Sequence, residues 1–421
     1  MTSKEGATEC FVYITLPNER DSVTAGRLVT EKDRNGNAIG RFVYGGSYLS
    51  RPNAVDIDPL ELKLTGKTYS TGLFGGLFGA IRDAVPDDWG RRVIEKHVGN
   101  SKLSEMDYLL NSPDDRAGAL GFGLGKNPPA PLKKFNKTLE LQRLQDIADA
   151  LIREDASEAE PATTQVQELI LLGTSMGGAR PKAVVEDDAG LWVAKFNRPD
   201  DRWNNPKVEH AMLELARQCG ITVAKSRIEN IGGKNVLLVQ RFDREKVSRG
   251  YARARMISGL TLLRADDNVL RRDRWSYVLM AEELRRVVAE PKKNAAELFR
   301  RMCFNALISN LDDHPRNHAL IAMGREWKLS PAYDLTPSPV VSRDNRDLAM
   351  ICGDKGRFAN AKNLLTQHNR FLLSADEASS IIKEMTDQVR TSWHSVARAQ
   401  GVSVKDAETI KAAFVYDGFS L

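Results

Sequence analysis

The sequence predicts a bilobal α+β protein with an N-terminal α/β domain, a small β-rich lobe and a larger helical lobe. Three observations predict it. A chain of 421 residues is longer than one hydrophobic core supports, so two or three domains are required. Short strand patterns punctuated by Gly and Pro fill the chain to about residue 125, and a polar run follows at residues 154–161. From Val166 the order becomes helix, glycine-rich loop, strand and strand, and beyond about residue 245 helical periodicity prevails. The divisions expected are residues 1–155 for the N-terminal domain, 156–245 for the small lobe and 246–421 for the large lobe.

The elements follow in order. Phe11-Val12-Tyr13-Ile14 reads as a strand, and Gly40-Arg41-Phe42-Val43-Tyr44 and Leu60-Glu61-Leu62-Lys63-Leu64 alternate as half-buried strands do. Pro86-Asp87-Asp88-Trp89 is a capped helix start, and residues 104–110 form a second short helix. Residues 138–150 are amphipathic, with Leu139, Leu141, Leu144 and Ile147 as the apolar set. The run Glu154-Asp155-Ala156-Ser157-Glu158-Ala159-Glu160-Pro161 has almost nothing to bury and reads as a linker. Ala183-Val184-Val185-Glu186 and Leu191-Trp192-Val193-Ala194-Lys195-Phe196 flank Asp187-Asp188-Ala189-Gly190, a hairpin pattern. Residues 208–219 line Val208, Ala211, Met212, Leu215 and Cys219 along one helix face. Val236-Leu237-Leu238-Val239 is a buried strand, and residues 310–345 interrupt the later helices.

Composition narrows the function classes. Hydrophobic residues at 42% and charged residues at 28% are ordinary for a folded protein. Lys+Arg 61 against Asp+Glu 56 leaves +5, too small an excess to demand nucleic acid or a membrane as partner. Arg271-Arg272-Asp273-Arg274 and Lys292-Lys293 are broken by an acid or bounded by Pro, and are expected to be solvated helix faces. The four cysteines are scattered, with no CxxC and no His at ligand spacing, which argues against a zinc framework and a disulfide scaffold. No stretch of about 18 apolar residues occurs, so no membrane span and a cytoplasmic location are expected.

Phosphoryl transfer needs a phosphate cradle, a lysine on the phosphates, oxygens for metal and a group to take the acceptor's proton. Candidates for all four occur in the order a bilobal kinase uses. The cradle is Gly173-Thr174-Ser175-Met176-Gly177-Gly178-Ala179-Arg180-Pro181-Lys182. There Gly177, Gly178 and Ala179 let backbone N–H groups approach phosphate, and Lys182 adds charge. It is neither a Walker A loop nor GxGxxG, and a structural turn would use the same glycines. Lys195 closes a strand as the phosphate-binding lysine of kinases does, although a solvated strand lysine has the same pattern. Glu209, on the following helix, is its expected partner, with Glu214 as competitor.

The most specific pattern is Asn310-Leu311-Asp312-Asp313-His314-Pro315-Arg316-Asn317. A kinase catalytic loop places a proton-accepting Asp five positions before an Asn that binds Mg²⁺, which selects Asp312 and Asn317. Asp334, in Pro331-Ala332-Tyr333-Asp334, supplies the second metal ligand behind a short strand. Taken alone, Asp312-Asp313 could be a turn pair with His314 packing beside it. Gln240 and Phe242 lie where a hinge backbone would hydrogen-bond adenine, and a core strand ending in a salt-bridged turn explains the neighbouring Asp243 and Arg244 equally.

Together these segments resemble the HipA family of serine/threonine kinases, the toxins of HipBA-type toxin–antitoxin pairs. The matching pieces are residues 175–182, Val239-Gln240-Arg241-Phe242-Asp243-Arg244, residues 310–317 and Pro331-Ala332-Tyr333-Asp334. Upstream, residues 40–44, Pro86-Asp87-Asp88-Trp89-Gly90-Arg91 and Asp115-Arg116-Ala117-Gly118 resemble the family's N-terminal domain. The resemblance implies a bilobal protein-kinase-like fold and use of ATP and Mg²⁺. It assigns Asp312 as base, Asn317 and Asp334 as metal ligands, and Lys195 to the phosphates. It implies autophosphorylation of Ser175, with Thr174 as a second candidate, where added charge would oppose ATP. It further implies a protein substrate such as an aminoacyl-tRNA synthetase or another translation factor. A HipB-like helix-turn-helix antitoxin would be the partner, with DNA reached only through it. Pro181 stands where the family's toxins more usually carry an acidic residue, which bears on toxicity more than on phosphotransfer.

Two other readings share part of the pattern. A small-molecule kinase would use the same Asp-to-Asn spacing but an acidic acceptor pocket, whereas arginines surround these loops. A nucleotide-gated partner of a helix-turn-helix repressor could keep ATP binding without turnover, and the intact Asp312, Asn317 and Asp334 argue against that.

Overall fold

A computed structural model describes residues 8–130, 135–157, 180–198, 200–248, 250–338, 342 and 345–420. The chain divides into two compact units. One comprises Met1–Pro199, Gln240–Ile257 and Ile321–Glu326, and the other Asp200–Val239, Ser258–Leu320 and Trp327–Leu421. Strands, sheets and helices occur in both, a mixed α+β architecture.

In the first unit an antiparallel sheet runs in the order Tyr69–Thr71, Ala38–Tyr44, Ser22–Lys32, Glu9–Thr15 and Leu120–Gly123. Val12, Ile14, Leu28 and Phe42 are wholly buried, which accounts for the apolar patterns of the first strands. The helices expected at residues 86–94 and 104–110 are Asp88–Val98 and Glu105–Asn111, capped by Asp87 and by a Ser104–Asp107 capping box. Arg91 and Glu105 join the two helices in a bidentate pair at 2.8 Å. Residues 60–64 alternate but form no strand. Asp58 Oδ1 accepts from the Leu60 and Glu61 N–H groups at 2.6 and 3.1 Å, a local turn that competes with extended pairing.

Lys182–Asp187 pairs with Gly190–Phe196 as the expected hairpin. Asp187 Oδ1 builds its turn by accepting from Ala189 N, Gly190 N and Trp192 Nε1 at 2.9, 3.2 and 2.8 Å. The amphipathic segment forms the helix Leu141–Ser157, which continues into the polar run; the remainder of that run lies outside the described residues. A hairpin of Arg244–Val247 with Gly250–Arg253 is an addition to the expected elements.

The second unit contains the helix Asn205–Gln218 and a hairpin of Ser226–Ile231 with Lys234–Gln240, turned by Gly232 and Gly233 at φ +55° and +80°. The helices Tyr277–Val287 and Ala375–Ala399 pack on Pro291–Leu307. Met280 and Leu284 of the first helix and Leu298, Phe299, Met302 and Cys303 of Pro291–Leu307 are fully buried. Residues 271–274 lie in a 3₁₀ segment, Val269–Arg274, where a solvated helix face was expected. All four cysteines are buried and reduced. Among the described residues no helix is long and apolar enough to cross a membrane.

Candidate active site

In the second unit the Pro291–Leu307 helix ends beside a loop whose backbone reverses at Ser309, φ +51°. The reversal is held by Asn310 N donating to Asn305 O at 2.8 Å and Ser309 Oγ donating to Ala413 O at 2.6 Å. The loop then places its two adjacent aspartates in opposite environments.

Asp313 is buried. Its Oδ2 accepts from Asn305 Nδ2 at 2.7 Å, from His318 Nε2 at 2.8 Å and from the Tyr277 hydroxyl. These contacts assign the His318 proton to Nε2 and lock both ends of the loop to the helices below. Burial, then the Asp313 charge, raises the Tyr277 phenol far above its usual range, so it remains a donor. Gly259 supports the loop from outside: its N–H donates to His318 O at 2.7 Å, and a Cβ there would stand 2.5 Å from Pro315 O.

Asp312 faces outward and is exposed. Partial desolvation by the loop is nonetheless the largest influence on its carboxyl and raises its pKa. His314 opposes, while Asp334 and Asp313 add to the rise. Asn317 is buried in the one-turn 3₁₀ helix Pro315–Asn317, and its Nδ2 donates to Asp312 O at 3.3 Å. That bond leaves the amide oxygen as the atom to offer a cation.

Asp334 sits in the left-handed region at φ +58°, a conformation that non-glycine residues keep only where their surroundings impose it. Here the surroundings do so. Ala332 N donates to Thr222 O at 2.8 Å, and Ala224 N donates to Ala332 O at 2.9 Å. Arg301 donates to Ser330 O at 2.5 Å, and Tyr333 OH donates to Arg316 O at 2.8 Å, joining the segment to the loop. The structure thus brings Asp312, Asn317 and Asp334 into one neighbourhood. A carboxylate and an amide oxygen beside a second carboxylate fit a hard divalent cation. A carboxyl with a raised pKa holds a proton more readily than an ordinary carboxylate does.

The first unit carries the other candidates. Lys195 lies on the Gly190–Phe196 strand, opposite Lys182 in register. Lys182 is buried and its Nζ donates to Asp87 Oδ2 at 2.8 Å, whose carboxyl burial raises despite the lysine. Gln240 Nε2 donates to Ala189 O at 3.1 Å, Arg241 N donates to Leu191 O at 2.9 Å, and Phe242 is half-buried. Thr174, Ser175, Gly177, Gly178 and Ala179 lie outside the described residues. Of the two glutamates, in the second unit, Glu209 is buried, whereas Glu214 pairs with Arg217.

The salt-bridged turn expected at Asp243 and Arg244 is present and larger than the sequence suggested. Arg241 reaches Asp115 Oδ2 at 2.7 Å and Asp243 Oδ2 at 2.9 Å; Arg244 reaches Asp243 Oδ2 at 2.7 Å and Arg116 O at 2.6 Å. Gly118 N donates to Asp243 Oδ2 at 2.9 Å. Burial would raise Asp243, but the two guanidinia hold its carboxyl well below the usual range. Burial, then Arg241, brings Arg244 down to about 9, still protonated at neutral pH. Sequence reasoning missed Tyr277, Asn305, His318 and Gly259 as supports of the site. Only the closeness of His318 to Asn317 offered a signal.

Comparison with known proteins gives the family of the chain. A model of the HipA-like C-terminal domain matches residues 174–393, and one of the HipA N-terminal domain matches residues 21–123. A provisionally named kinase, Y4mE, of Sinorhizobium fredii (strain NBRC 101917 / NGR234) is 24% identical over 358 residues, 78% of this chain and 80% of that protein. A second provisionally named kinase of that strain, Y4dM, is 24% identical over 241 residues, 53% of this chain and 57% of that protein. Among solved structures, the Shewanella oneidensis MR-1 toxin–antitoxin complex of HipA, HipB and operator DNA contains a similar chain. The TM-score is 0.67 at 16% identity, over 96% of this chain and 94% of that one, a likeness of fold. With the C-terminal model alone spanning more than half of its length, this chain belongs to the HipA family.

Proposed function

We propose that this protein is a Mg-ATP-dependent serine/threonine protein kinase of the HipA type. The observation that carries the proposal is Asp312: an accessible carboxyl with a raised pKa, five positions before Asn317 and influenced by Asp334, on a loop braced by buried Asp313. In this reading Asp312 takes the proton of the acceptor hydroxyl, and Asn317 Oδ1 and Asp334 hold Mg²⁺. Lys195 neutralises phosphate charge, backbone and Lys182 near Gly177, Gly178 and Ala179 cradle the phosphates, and the Gln240–Phe242 backbone receives adenine. Bound Mg-ATP supplies the phosphoryl group; the chain's own part is to orient the acceptor and receive its proton.

Ser175, with Thr174 beside it, is the proposed autophosphorylation site, and the acceptor in trans is a protein of the translation machinery such as an aminoacyl-tRNA synthetase. The toxin role and a HipB-like antitoxin partner are supported by the family and by the Shewanella complex, which holds HipB and operator DNA beside its HipA. DNA would be reached only through that partner, in the cytoplasm. The test is incubation of dephosphorylated protein with γ-labelled Mg-ATP, followed by mapping. Label on Ser175 or Thr174 in the wild type, absent from Asp312→Ala, supports the reading. No transfer to the chain or to any protein, with ATP bound, contradicts it.

A further inference from the structure

Leu270 is 92% exposed, more than any other large hydrophobic side chain described, and its neighbour Val269 is 53% exposed. A lone exposed leucine needs no explanation; this one stands on a loop built to hold it. Asp266 Oδ1 accepts from Asn268 N at 3.0 Å, Asn268 Oδ1 accepts from Leu270 N at 2.9 Å, and Arg271 N donates to Asn268 O at 2.8 Å. Trp275 Nε1 donates to Asp266 O at 2.9 Å, closing the loop's base. The loop is therefore pre-ordered, and presenting apolar surface on it costs little further entropy when a partner arrives.

Its position gives the partner. The loop touches the candidate catalytic segment twice: Arg316 Nε donates to Asp267 Oδ2 at 2.7 Å, and the Trp275 ring lies 6.3 Å from that of His314. His314 and Arg316 follow Asp312 by two and four positions, so the loop that presents Leu270 adjoins the segment to which an acceptor polypeptide would bring its hydroxyl. Beside Leu270 stand Arg271, Arg272 and Arg274 against Asp273 alone. Arg271 is paired with Asp266 at 3.3 Å and Arg274 Nε donates to Leu263 O at 2.9 Å, while no described carboxylate pairs with Arg272. We infer that the loop around Val269, Leu270 and Arg272 docks the acceptor protein, taking a segment that carries an apolar side chain and an acidic one near the phosphorylated hydroxyl. The inference rests on the kinase reading of Asp312.

The test uses the full chain, Leu270→Ser and Arg272→Glu, with an array of serine peptides varying apolar, acidic and basic residues around the acceptor. ATP affinity and basal ATP turnover serve as the control, because neither residue belongs to the transfer machinery. Docking predicts a wild-type preference for apolar plus acidic peptides. It predicts a peptide KM about tenfold higher in Leu270→Ser with kcat nearly unchanged, and a preference moved toward basic peptides in Arg272→Glu. Unchanged peptide KM and preference overturn it. If no preparation transfers phosphate, the kinase reading falls, and fluorescence anisotropy of the same peptides decides docking separately: equal affinity for wild type and Leu270→Ser overturns it. Variants that lose oligonucleotide binding while peptide binding stays intact overturn it in favour of nucleic acid.

Discussion

Asp313 and His318 meet in the interior, the carboxylate Oδ2 2.8 Å from the imidazole Nε2, and this contact clamps the two ends of the loop that exposes Asp312. The neighbouring aspartates divide the labour between them. One is held by three donors and holds the loop; the other stays exposed. The first prediction follows from the difference.

Asp313→Ala leaves the Tyr277 hydroxyl, Asn305 Nδ2 and His318 Nε2 facing an empty acceptor position. Each abandoned buried donor carries a desolvation penalty, so the substitution should cost about 3 kcal/mol or more. Urea unfolding measures it. A loss under about 1 kcal/mol, the scale of an ordinary net hydrogen bond, would mean that Asp313 is not the brace.

Asp312→Asn should act with the opposite sign on stability. A carboxyl whose folded pKa is raised favours folding below its unfolded pKa and loses that contribution as pH rises through the folded value. The neutral variant should therefore match or exceed wild-type stability at pH 7, and the gain should shrink as pH falls through the raised folded value and be gone below the unfolded pKa of about 3.9. In the wild type, phosphotransfer should fall on acidification at a pH above that of an ordinary carboxylate, because only the ionised base accepts a proton. Thermal melts across pH and a pH–rate profile check the two halves. Asn destabilising the protein at pH 7, or an acid limb at the unperturbed value, would contradict the assignment.

Gly259→Ala introduces a Cβ 2.5 Å from Pro315 O and 2.8 Å from Met280 Cε; the methionine tip can swing aside, but the Pro315 backbone yields only if the loop moves. Displacing the loop by about 1 Å should lower kcat about 10²-fold while ATP affinity changes little. Wild-type kcat in a folded Gly259→Ala protein would show that the loop's position is not critical.

Asp243→Asn weakens the partner of two buried guanidinia, Arg241 and Arg244. Because the Asp243 carboxyl is held below its usual range, the stability it gives is present above its unfolded pKa and lost as pH falls toward the folded one. The wild type should be more stable than Asp243→Asn by about 3 kcal/mol between pH 5 and 8, with the advantage shrinking below about pH 4. An advantage independent of pH would show that charge is not the cause.

Legibility in the sequence followed the range of the interactions. The closeness of Asp312 and Asn317 could be read because one short loop carries both, and there Asn317 Nδ2 donates to Asp312 O. The Lys182–Asp187 and Gly190–Phe196 hairpin was readable because its turn is built by Asp187 itself. Tyr277 was not, since its bond to Asp313 spans 36 residues and no local pattern marks it. Asp115 and Arg241 each lay in a recognisable motif, but their contact, 126 residues apart, exists only in the fold. The Arg244–Val247 and Gly250–Arg253 hairpin escaped notice because arginine ends, not alternating apolar residues, anchor it. Leu60 to Leu64 alternated without a strand because Asp58 captured the backbone first.

The most direct measurement is single-turnover phosphoryl transfer by Asp312→Ala beside the wild type, with Mg-ATP affinity determined on the same preparations. The account predicts near-equal affinity and a transfer rate lower by about 10²- to 10⁴-fold. Transfer at the wild-type rate would contradict it, because the proton would then leave the acceptor hydroxyl by a route in which Asp312 takes no part.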